Sequence, residues 1–264
     1  MFRAMSDLML RVLGWRSLLI HGDPCVLDRW LWLRPRLRSG PARTLDAGCG
    51  NGAFSIYAAR QGNQVLATSF SERELDDARR RTRLLGLEGV EFEVLDLRDI
   101  DSRRDELGSF DQIICLETIE HLSDDQGLLE SLAGLLEPGG QLLLSTPFEG
   151  HRPLYSEERD PSPVEDGSHV RYGYSADRLQ ALALAAGLQP AQLGYVSGVV
   201  SQRLTNLMRR LTLRLGRMPA WVLMLPLRPL VVLDRPLSRL ARYPYLSIAM
   251  VARRDAGGVA RRDA

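Results

Sequence analysis

Short apolar runs alternate with longer segments of helical periodicity between residues 40 and 147. The runs that predict strands are Thr44–Ala47, Gln64–Ser69, Val90–Leu95, Gln112–Leu116 and Gln141–Thr146. The segments between them that predict helices lie near 52–61, 72–85 and 123–136. Strands that alternate with helices form βαβ units, which build parallel sheets with right-handed crossovers. The pattern therefore predicts an α/β fold with a Rossmann-like, doubly wound, mostly parallel sheet.

The flanking regions complete the predicted architecture. Helical periodicity at about 5–19 and 25–38 predicts N-terminal helices, and the proline-rich stretch 148–174 predicts a long loop over the site. Ser175 should cap a helix to about Ala186. Strands near Pro190–Val199 and Tyr245–Ala252 bring the expected sheet to seven strands. The expected domains are N-terminal helices (1–39), the main domain (40–201 and 244–252), a helical insertion before the last strand (202–243) and a frayed tail (253–264).

Composition agrees with a globular protein and removes two enzyme classes. The 264 residues are 45% hydrophobic and 25% charged, enough for one large domain with a sizeable core. Every basic side chain is an arginine, which excludes a Schiff-base lysine enzyme and a phosphate loop that ends in lysine. The three cysteines, Cys25, Cys49 and Cys115, are too scattered for a disulfide framework. With neither a secretory signal nor a spanning segment evident, we expect a cytoplasmic protein.

Charge is distributed unevenly along the chain. Residues 1–197 contain 21 Arg and 30 acidic residues, whereas residues 198–264 contain 13 Arg and 3 acidic residues. The insertion 202–243 combines arginines with apolar residues, which suits an interfacial helix on anionic lipid. Packing of these helices on the sheet or against a second subunit explains the pattern equally well. RNA binding fits less well because Trp221 and Tyr243 are the insertion's only aromatic residues. We therefore expect no nucleic-acid partner.

The sharpest signal is a glycine-rich turn that joins the first predicted strand to the next helix. In the run from Asp46 to Ser55, glycines stand at 48, 50 and 52. Glycines allow a positive φ and a close approach of ligand to backbone, and the following helix N-terminus attracts carboxylate or phosphate groups. Gly48, Gly50 and Ala53 also satisfy the dinucleotide pattern G-x-G-x-x-G/A, so the run alone indicates only a nucleotide-like ligand.

Three further features narrow the choice of ligand. Asp46 stands two residues before the first glycine, where an acid can face an ammonium group but would repel a pyrophosphate. Asp96 follows the third predicted strand and can accept a hydrogen bond from an adenine amino group. The turn Pro138-Gly139-Gly140 precedes the fifth strand. In this order, the features resemble class I S-adenosylmethionine-dependent methyltransferases over about residues 40–190.

The resemblance implies a set of cofactor-binding residues. Contacts to the methionine part fall to Asp46, Gly48, Cys49, Gly50, Asn51, Gly52 and Leu116, contacts to adenine to Asp96 and Leu97, and contacts to the ribose region to Ser69 and Phe70. The family ends its second strand with an acid that holds both ribose hydroxyls, whereas this chain has Ser69. That change costs about ten- to a hundredfold in affinity unless Glu72 or water substitutes.

The departure at Ser69 keeps two alternatives open. Ser69 with Arg73 can receive the 2′-phosphate of NADP, which would make the protein an NADP-dependent oxidoreductase. The other alternative is a non-catalytic cofactor-binding adaptor at a membrane surface.

A second signal follows the fourth predicted strand, where parallel sheets bind ligands. If a helical turn begins there, Glu117, Glu120 and His121 face one side and can hold a divalent ion or share a proton. The run Glu-x-x-Glu-His is similar to that of the ubiquinone-biosynthesis O-methyltransferases, and this resemblance implies a metal near the substrate hydroxyl. A cap network that orients the following loop is the alternative, because many relatives share the run without a metal.

Methyl transfer from a sulfonium needs donor and acceptor aligned at about 3–3.5 Å in a dry pocket. A base matters only if the acceptor is a hydroxyl or an amine. His121 is the first candidate for that base and His169 the second. Near His169, Arg171 can bind an acid group of the acceptor or pair with Glu165 or Asp166, and Tyr172 and Tyr174 can line an aromatic acceptor. We expect transfer to a small hydrophobic molecule, with O-methylation preferred.

Overall fold

A seven-stranded sheet is the centre of the structure, a computed structural model that describes residues 2–21, 23–154, 161–165 and 167–256. Its strands are β1 (Arg43–Ala47), β2 (Gln64–Ser69), β3 (Val90–Val94), β4 (Phe110–Leu116), β5 (Leu136–Pro147), β6 (Leu188–Val196) and β7 (Ser247–Arg254). They are ordered β3-β2-β1-β4-β5-β7-β6, and only β7 runs antiparallel to its neighbours. The predicted doubly wound, mostly parallel fold is confirmed.

Helices cover both faces of this sheet. They are α1 (Phe2–Leu13), α2 (Arg16–His21), α3 (Pro24–Leu33), α4 (Ala53–Arg60), α5 (Glu72–Leu84), α6 (Arg104–Leu107), α7 (Asp125–Leu135), α8 (Ala176–Ala185), α9 (Val199–Leu215), α10 (Arg217–Met224) and α11 (Asp234–Ala241). Short 3₁₀ helices occupy Leu97–Asp99, Asp101–Arg103, Ile119–His121 and Leu225–Leu233.

The core forms two layers because successive residues of a strand point to opposite faces. Ile113 belongs to one apolar cluster and Ile114 to the other, and Leu142 and Leu143 of the neighbouring strand divide in the same way. All four side chains are fully buried. This burial on both faces explains why β4 and β5 form continuous apolar runs in the sequence.

Several predicted boundaries were wrong at the two ends of the chain. The N-terminal region forms three helices instead of two, because Gly14 adopts a φ of +62° and interrupts the first one. The predicted strand 190–199 begins at Leu188 and ends at Val196, and Val199 already starts a helix. Arg253 and Arg254 extend β7 instead of fraying, while residues 257–264 lie outside the described part.

The predicted insertion consists of α9, α10, the 3₁₀ segment and α11, and it packs against the N-terminal helices. The Trp221 indole donates to the backbone oxygen of Ile20 at 2.9 Å, and the Thr205 hydroxyl donates to Asp23 Oδ1 at 2.7 Å. Part of the insertion is therefore bound to the fold, as the packing alternative predicts. No helix in the described residues is long and apolar enough to span a bilayer.

Asp234, the sole acid of the insertion, caps α9 from a distance in the sequence. Its buried carboxylate accepts backbone N–H groups of Gly198 at 2.9 Å, Val200 at 2.8 Å and Ser201 at 3.1 Å. A negative charge at a helix N-terminus also opposes the positive end of the helix dipole. One side chain thus joins the start of α9 to the start of α11.

We expect Asp234→Ala to lower the free energy of unfolding by about 2–4 kcal/mol, because several buried N–H groups lose their acceptor. Chemical denaturation measures the change. Asp255→Ala is the control, since Asp255 is an exposed acid. Equal stabilities of the two variants would contradict the capping role.

Candidate active site

The loop after β1 lies against the segment after β4 at the carboxyl edge of the sheet. Gly48 has a φ of +84°, and a Cβ there would come within 2.5 Å of Thr118 Oγ1. The N–H groups of Gly48 and Cys49 both donate to the backbone oxygen of Thr68, at 3.0 and 2.8 Å. Only glycine fits this position, and the contacts bring the corners after β1, β2 and β4 together.

The rest of the glycine loop has one closely packed and one open position. A Cβ on Gly52 would meet the Ala78 side chain at 2.8 Å, whereas a Cβ on Gly50 would meet only Glu74 Oε2, at 3.9 Å. Asn51 is held from α5 by Arg81, whose Nη1 donates to the Asn51 backbone oxygen at 2.8 Å. Gly50 is therefore the place where a ligand can reach the backbone of the loop.

Asp46 fixes the two ends of this loop. It is 2% exposed, and its Oδ2 accepts the Ser55 hydroxyl at 2.5 Å, which connects the end of β1 to the first turn of α4. Burial raises the pKa of the Asp46 carboxyl from 3.8 to about 6, against the opposing effect of the hydrogen bonds from Ser55. Asp46 thus joins the two elements that flank the glycine loop.

The residues expected at the adenosine end differ in their surroundings. Ser69 and Leu97 are buried, whereas Phe70 is 71% exposed at the rim. The Asp96 carboxylate accepts Arg98 Nε at 2.9 and 3.0 Å, and the hydrogen bonds from Arg98 lower the pKa of Asp96. Leu116, at the end of β4, is 8% exposed.

The loop predicted to cover the site does contact it in its described parts. Arg98 Nη1 donates to Glu165 Oε2 at 3.0 Å, and the Ser123 N–H donates to Glu165 Oε1 at 2.5 Å. A Cβ on Gly167 would lie 3.6 Å from the Phe70 ring. This segment therefore lies between the Asp96 and Phe70 positions.

Glu117 does not start a helical turn, contrary to our expectation. Its φ is +53°, and the 3₁₀ turn begins only at Ile119. The Glu117 carboxylate is occupied by Arg29 Nη2 at 2.9 Å and by the hydroxyls of Ser145 at 2.8 Å and Ser247 at 3.0 Å. This network joins α3 to the edge of the sheet.

The candidate ligand cluster consists of Glu120, His121 and His169. The sequence had predicted Glu117 as its third member in place of His169. One potential ligand atom from each of the three lies within 4.8 Å of the others. The two imidazole rings are 4.8 Å apart, and His169 Nε2 is 3.9 Å from Glu120 Oε1. Within the described residues, Glu120 Oε1 and His121 Nδ1 are buried and have no hydrogen-bond partner.

The Glu120 carboxyl is in an unusual electrostatic position. It is fully buried, and its Oε2 accepts the Thr146 hydroxyl at 3.0 Å. Burial raises its pKa well above the ordinary value, and the nearby negative charge of Glu117 adds to the rise. A carboxyl with a raised pKa beside two imidazoles is typical of sites that hold or move a proton.

Arg171 and Tyr174, which the sequence suggested as acceptor-binding residues before α8, make contacts within the fold instead. Arg171 pairs with Asp125, and its Nη2 also donates to the backbone oxygens of Leu122 and Ser123 at 2.7 Å. Of its two predicted partners, Glu165 binds Arg98 and the Ser123 N–H instead, and Asp166 lies outside the described residues. Tyr174 is buried with its hydroxyl donating to Asp125 at 3.1 Å, so it does not line an acceptor site.

Sequence reasoning missed several residues that shape the site. They are Arg29, Ser55, Glu74 and Thr118. Arg29 and Thr118 act across 88 and 71 positions of sequence, and no local pattern indicates such contacts. Ser55 and Glu74 stand in first helical turns beside the predicted loops, which is a usable signal.

Solved structures that share this fold include S-adenosylmethionine-dependent methyltransferases and a [4+2]-cyclase. The chain is similar in fold to such an enzyme from Mesorhizobium loti, with a TM-score of 0.55, 20% identity, and coverage of 89% of this chain and 100% of the other. It is also similar to 1,6-didemethyltoxoflavin-N1-methyltransferase from Burkholderia thailandensis, with a TM-score of 0.52, 20% identity, and coverage of 85% and 76%. That structure contains S-adenosylhomocysteine.

Sequence comparison identifies the family. A methyltransferase-domain family model matches residues 39–171. A ubiquinone biosynthesis O-methyltransferase from Xanthomonas oryzae pv. oryzae is 33% identical over 193 residues, which cover 70% of this chain and 75% of the relative. The chain belongs to the S-adenosylmethionine-dependent methyltransferases. Neither an NADP-dependent oxidoreductase nor a non-catalytic adaptor finds support in these comparisons.

The residues present fit the cofactor of this family. The open backbone at Gly50 faces the Glu74 carboxylate, and a second acid, Asp46, lies at the end of β1 where the loop begins. This arrangement suits a ligand with a cationic amino-acid end and does not suit a pyrophosphate.

We expect the Asp46 carboxyl to make stability depend on pH. Its pKa is higher in the folded state than in the unfolded chain, so its contribution to stability is present below pH 4 and disappears as pH rises to about 6. Asp46→Asn removes this slope. The stability of the variant relative to wild type should rise by up to about 3 kcal/mol between pH 4 and pH 7.

Denaturation curves at several pH values measure this difference. The pKa of Asp28 is also raised to about 6 by burial, and its slope remains in both proteins, so it cancels. A difference that does not change with pH would contradict the buried ionisation of Asp46.

Proposed function

We propose that this methyltransferase transfers a methyl group to a hydroxyl of a small hydrophobic acceptor. The observation that carries the proposal is the cluster of Glu120, His121 and His169, which has a buried imidazole nitrogen without a described partner and follows Thr118, the residue packed against Gly48 of the glycine loop. The relatives named as ubiquinone biosynthesis O-methyltransferases support an oxygen acceptor. The alternative classes are an N-methyltransferase, which acts on an amine, and a C-methyltransferase, which acts on a carbon acid.

Cofactor binding is assigned to one edge of the sheet. The residues that would hold S-adenosylmethionine are Asp46, Gly48, Cys49, Gly50, Asn51, Gly52, Ser69, Phe70, Asp96, Leu97 and Leu116. When bound, it supplies an electrophilic methyl group, so the protein's own work is to orient the acceptor, exclude water and take up the acceptor's proton.

His121 is positioned to take the acceptor's proton at Nδ1, an atom that has no partner within the described residues. Its ring contacts that of His169, which is partly exposed and can pass the proton toward solvent. Negative charge on the adjacent Glu120 carboxyl would stabilise the positively charged ring, although burial disfavours the ionised form of that carboxyl.

The same three groups offer a fit for a divalent ion. One carboxylate oxygen and two imidazole nitrogens suit Zn²⁺, Mn²⁺ or Fe²⁺ better than Mg²⁺, which prefers oxygen ligands. The buried, unpartnered Glu120 Oε1 is consistent with that use. Glu117 falls outside this ligand set because Arg29 occupies it. A bound ion would polarise the acceptor hydroxyl in place of the base.

We expect His121→Ala to lower kcat by about a hundredfold or more while S-adenosylhomocysteine affinity stays within about twofold, since the cluster serves proton removal. Initial rates with a phenolic acceptor and calorimetric titration measure the two effects. His151→Ala is the control, because His151 stacks on Tyr172 outside the cluster.

An unchanged rate in His121→Ala would contradict the assignment. A chelator separates the two uses of the cluster: loss of activity that Zn²⁺ or Mn²⁺ restores indicates an ion, and full activity in the chelator indicates proton transfer by the side chains alone.

The exposed face of α11 supports a second proposal, that the insertion rests on an anionic lipid surface. Leu237 and Leu240 of α11 are 41% and 83% exposed and lie on one face of the helix, and Leu233, the last residue of the preceding 3₁₀ segment, is 45% exposed. Arg239 and Arg242 are exposed on the same helix end. An apolar stripe with adjacent cations suits the headgroup region of a bilayer, and it would let a hydrophobic acceptor approach from the lipid.

We expect the protein to co-sediment with phosphatidylglycerol vesicles at low salt and to be released by added salt. Leu240→Ser should weaken the partition by about tenfold, because one leucine side chain leaves the apolar interface. Leu184→Ser is the control, since Leu184 is a 53% exposed leucine on α8. Recovery of the wild-type protein entirely in the supernatant would exclude the lipid contact.

A further inference from the structure

A carboxylate lies at the end of β2 although the sequence has none at that strand end. Ser69, the last residue of β2, is 4% exposed, and its hydroxyl donates to Glu74 Oε2 at 3.2 Å. Glu74 belongs to the first turn of α5. A residue five positions further along the chain thus supplies the negative charge at this corner.

The turn between β2 and α5 explains why Glu74 points back at the strand. Ser71 caps α5, with its hydroxyl accepting the Glu74 N–H at 3.4 Å, and the Ser71 N–H donates to Ser69 Oγ at 3.1 Å. Side chains in the first turn of a helix lean toward its N-terminus, and the positive end of the helix dipole stabilises a carboxylate there. These contacts define the position of the Glu74 side chain.

Glu74 also faces the glycine loop. Its Oε2 is the one atom within 4 Å of the Cβ that would be built on Gly50. Burial raises the pKa of the neighbouring Cys49 thiol, and the negative charges of Asp46 and Glu74 add to that rise. The carboxylate therefore lies between the end of β2 and the backbone position that is open to a ligand.

Glu72, which the sequence had offered as the substitute acid, points elsewhere. Its Oε1 accepts Arg79 Nη1 at 2.5 Å, one ion pair along the outer face of α5. Glu72 is thus committed to the helix surface and Glu74 to the loop.

We propose that Glu74, together with Ser69, binds the ribose hydroxyl groups of S-adenosylmethionine. The proposal rests on the methyltransferase family membership. A carboxylate has acceptor sites for two hydroxyls besides the Ser69 hydroxyl, and hydrogen bonds to a charged acceptor are the stronger kind. The same charge repels a 2′-phosphate, so this corner selects an unphosphorylated ribose over NADP.

The first test is calorimetric titration with S-adenosylhomocysteine, which needs no turnover. Glu74→Gln should weaken binding by about ten- to a hundredfold, because charge-assisted hydrogen bonds to the ribose are lost. Glu72→Gln, the matched control on the same helical turn, should stay within about twofold. Equal affinities of wild type and Glu74→Gln would overturn the proposal.

The second test uses the analogue of S-adenosylhomocysteine that lacks the ribose 2′- and 3′-hydroxyls. Wild type should lose affinity for the analogue by at least the factor that Glu74→Gln loses for the parent compound, and the difference between the two compounds should be much smaller in Glu74→Gln than in wild type. If the affinity losses caused by Glu74→Gln and by removal of the hydroxyls were independent, so that the two factors multiply, Glu74 would not contact the hydroxyls and the proposal would be overturned.

A third measurement guards against a merely structural effect. In the Glu74→Gln background, Ser69→Asp should restore most of the affinity for the parent compound and none for the analogue, since it returns an acid to the strand end. Failure of wild type to bind S-adenosylhomocysteine at all would count against the cofactor itself, which separates that failure from failure of the Glu74 assignment.

Discussion

The approach of the glycine loop to Thr118 is the contact on which the site depends. Gly48 leaves no space for a Cβ against the Thr118 side chain, so the corners after β1 and β4 are held in direct contact. The Asp46–Ser55 hydrogen bond connects the end of β1 to the start of α4, and the backbone oxygen of Thr68 accepts the N–H groups of Gly48 and Cys49 in the loop between them. With these corners joined, the glycine loop and the Glu120 cluster share one edge of the sheet.

The parts of this fold that the sequence predicted well are those determined by local pattern. The strands that form β1, β2, β4 and β5 are buried on both faces, so they read as apolar runs between turn signals. The glycine loop and Asp46 were identified for the same reason. The predicted boundaries were wrong where a residue distant in the sequence determines the end of an element. For example, α9 starts at Val199 because Asp234 caps it.

The candidate site shows the same division. Glu120 and His121 were found in one short run, but His169 joins them through a loop 48 positions away, and Glu117 leaves them because Arg29 binds it. The positive φ of Glu117 has no signature in the sequence. Glu72 and Glu74 are both acids of the first turn of α5, but two positions on a helix separate their directions, so one binds Arg79 and the other Ser69.

The sequence contains no lysine, so arginine supplies all of its long cationic side chains. Some of these arginines also make structural hydrogen bonds. Several arginines donate to backbone oxygens of distant segments: Arg38 to Gly139, Arg43 to Leu107 and Ser109, Arg81 to Asn51, and Arg171 to Leu122 and Ser123. The planar fork of a guanidinium can satisfy two such oxygens at once, which an ammonium does with less geometric definition. These side chains satisfy backbone oxygens that lie mostly in the connections between helices and strands.

The antiparallel direction of β7 determines where the insertion emerges. Pro147 at the end of β5 pairs with Ser247 at the start of β7, and Val196 at the end of β6 pairs with the same residue. Both attachment points of the insertion therefore lie at the rim where the parallel strands end. Variation in the length or polarity of the chain between these two strands would therefore change the edge of the sheet at which the glycine loop lies and would leave the opposite edge unaltered.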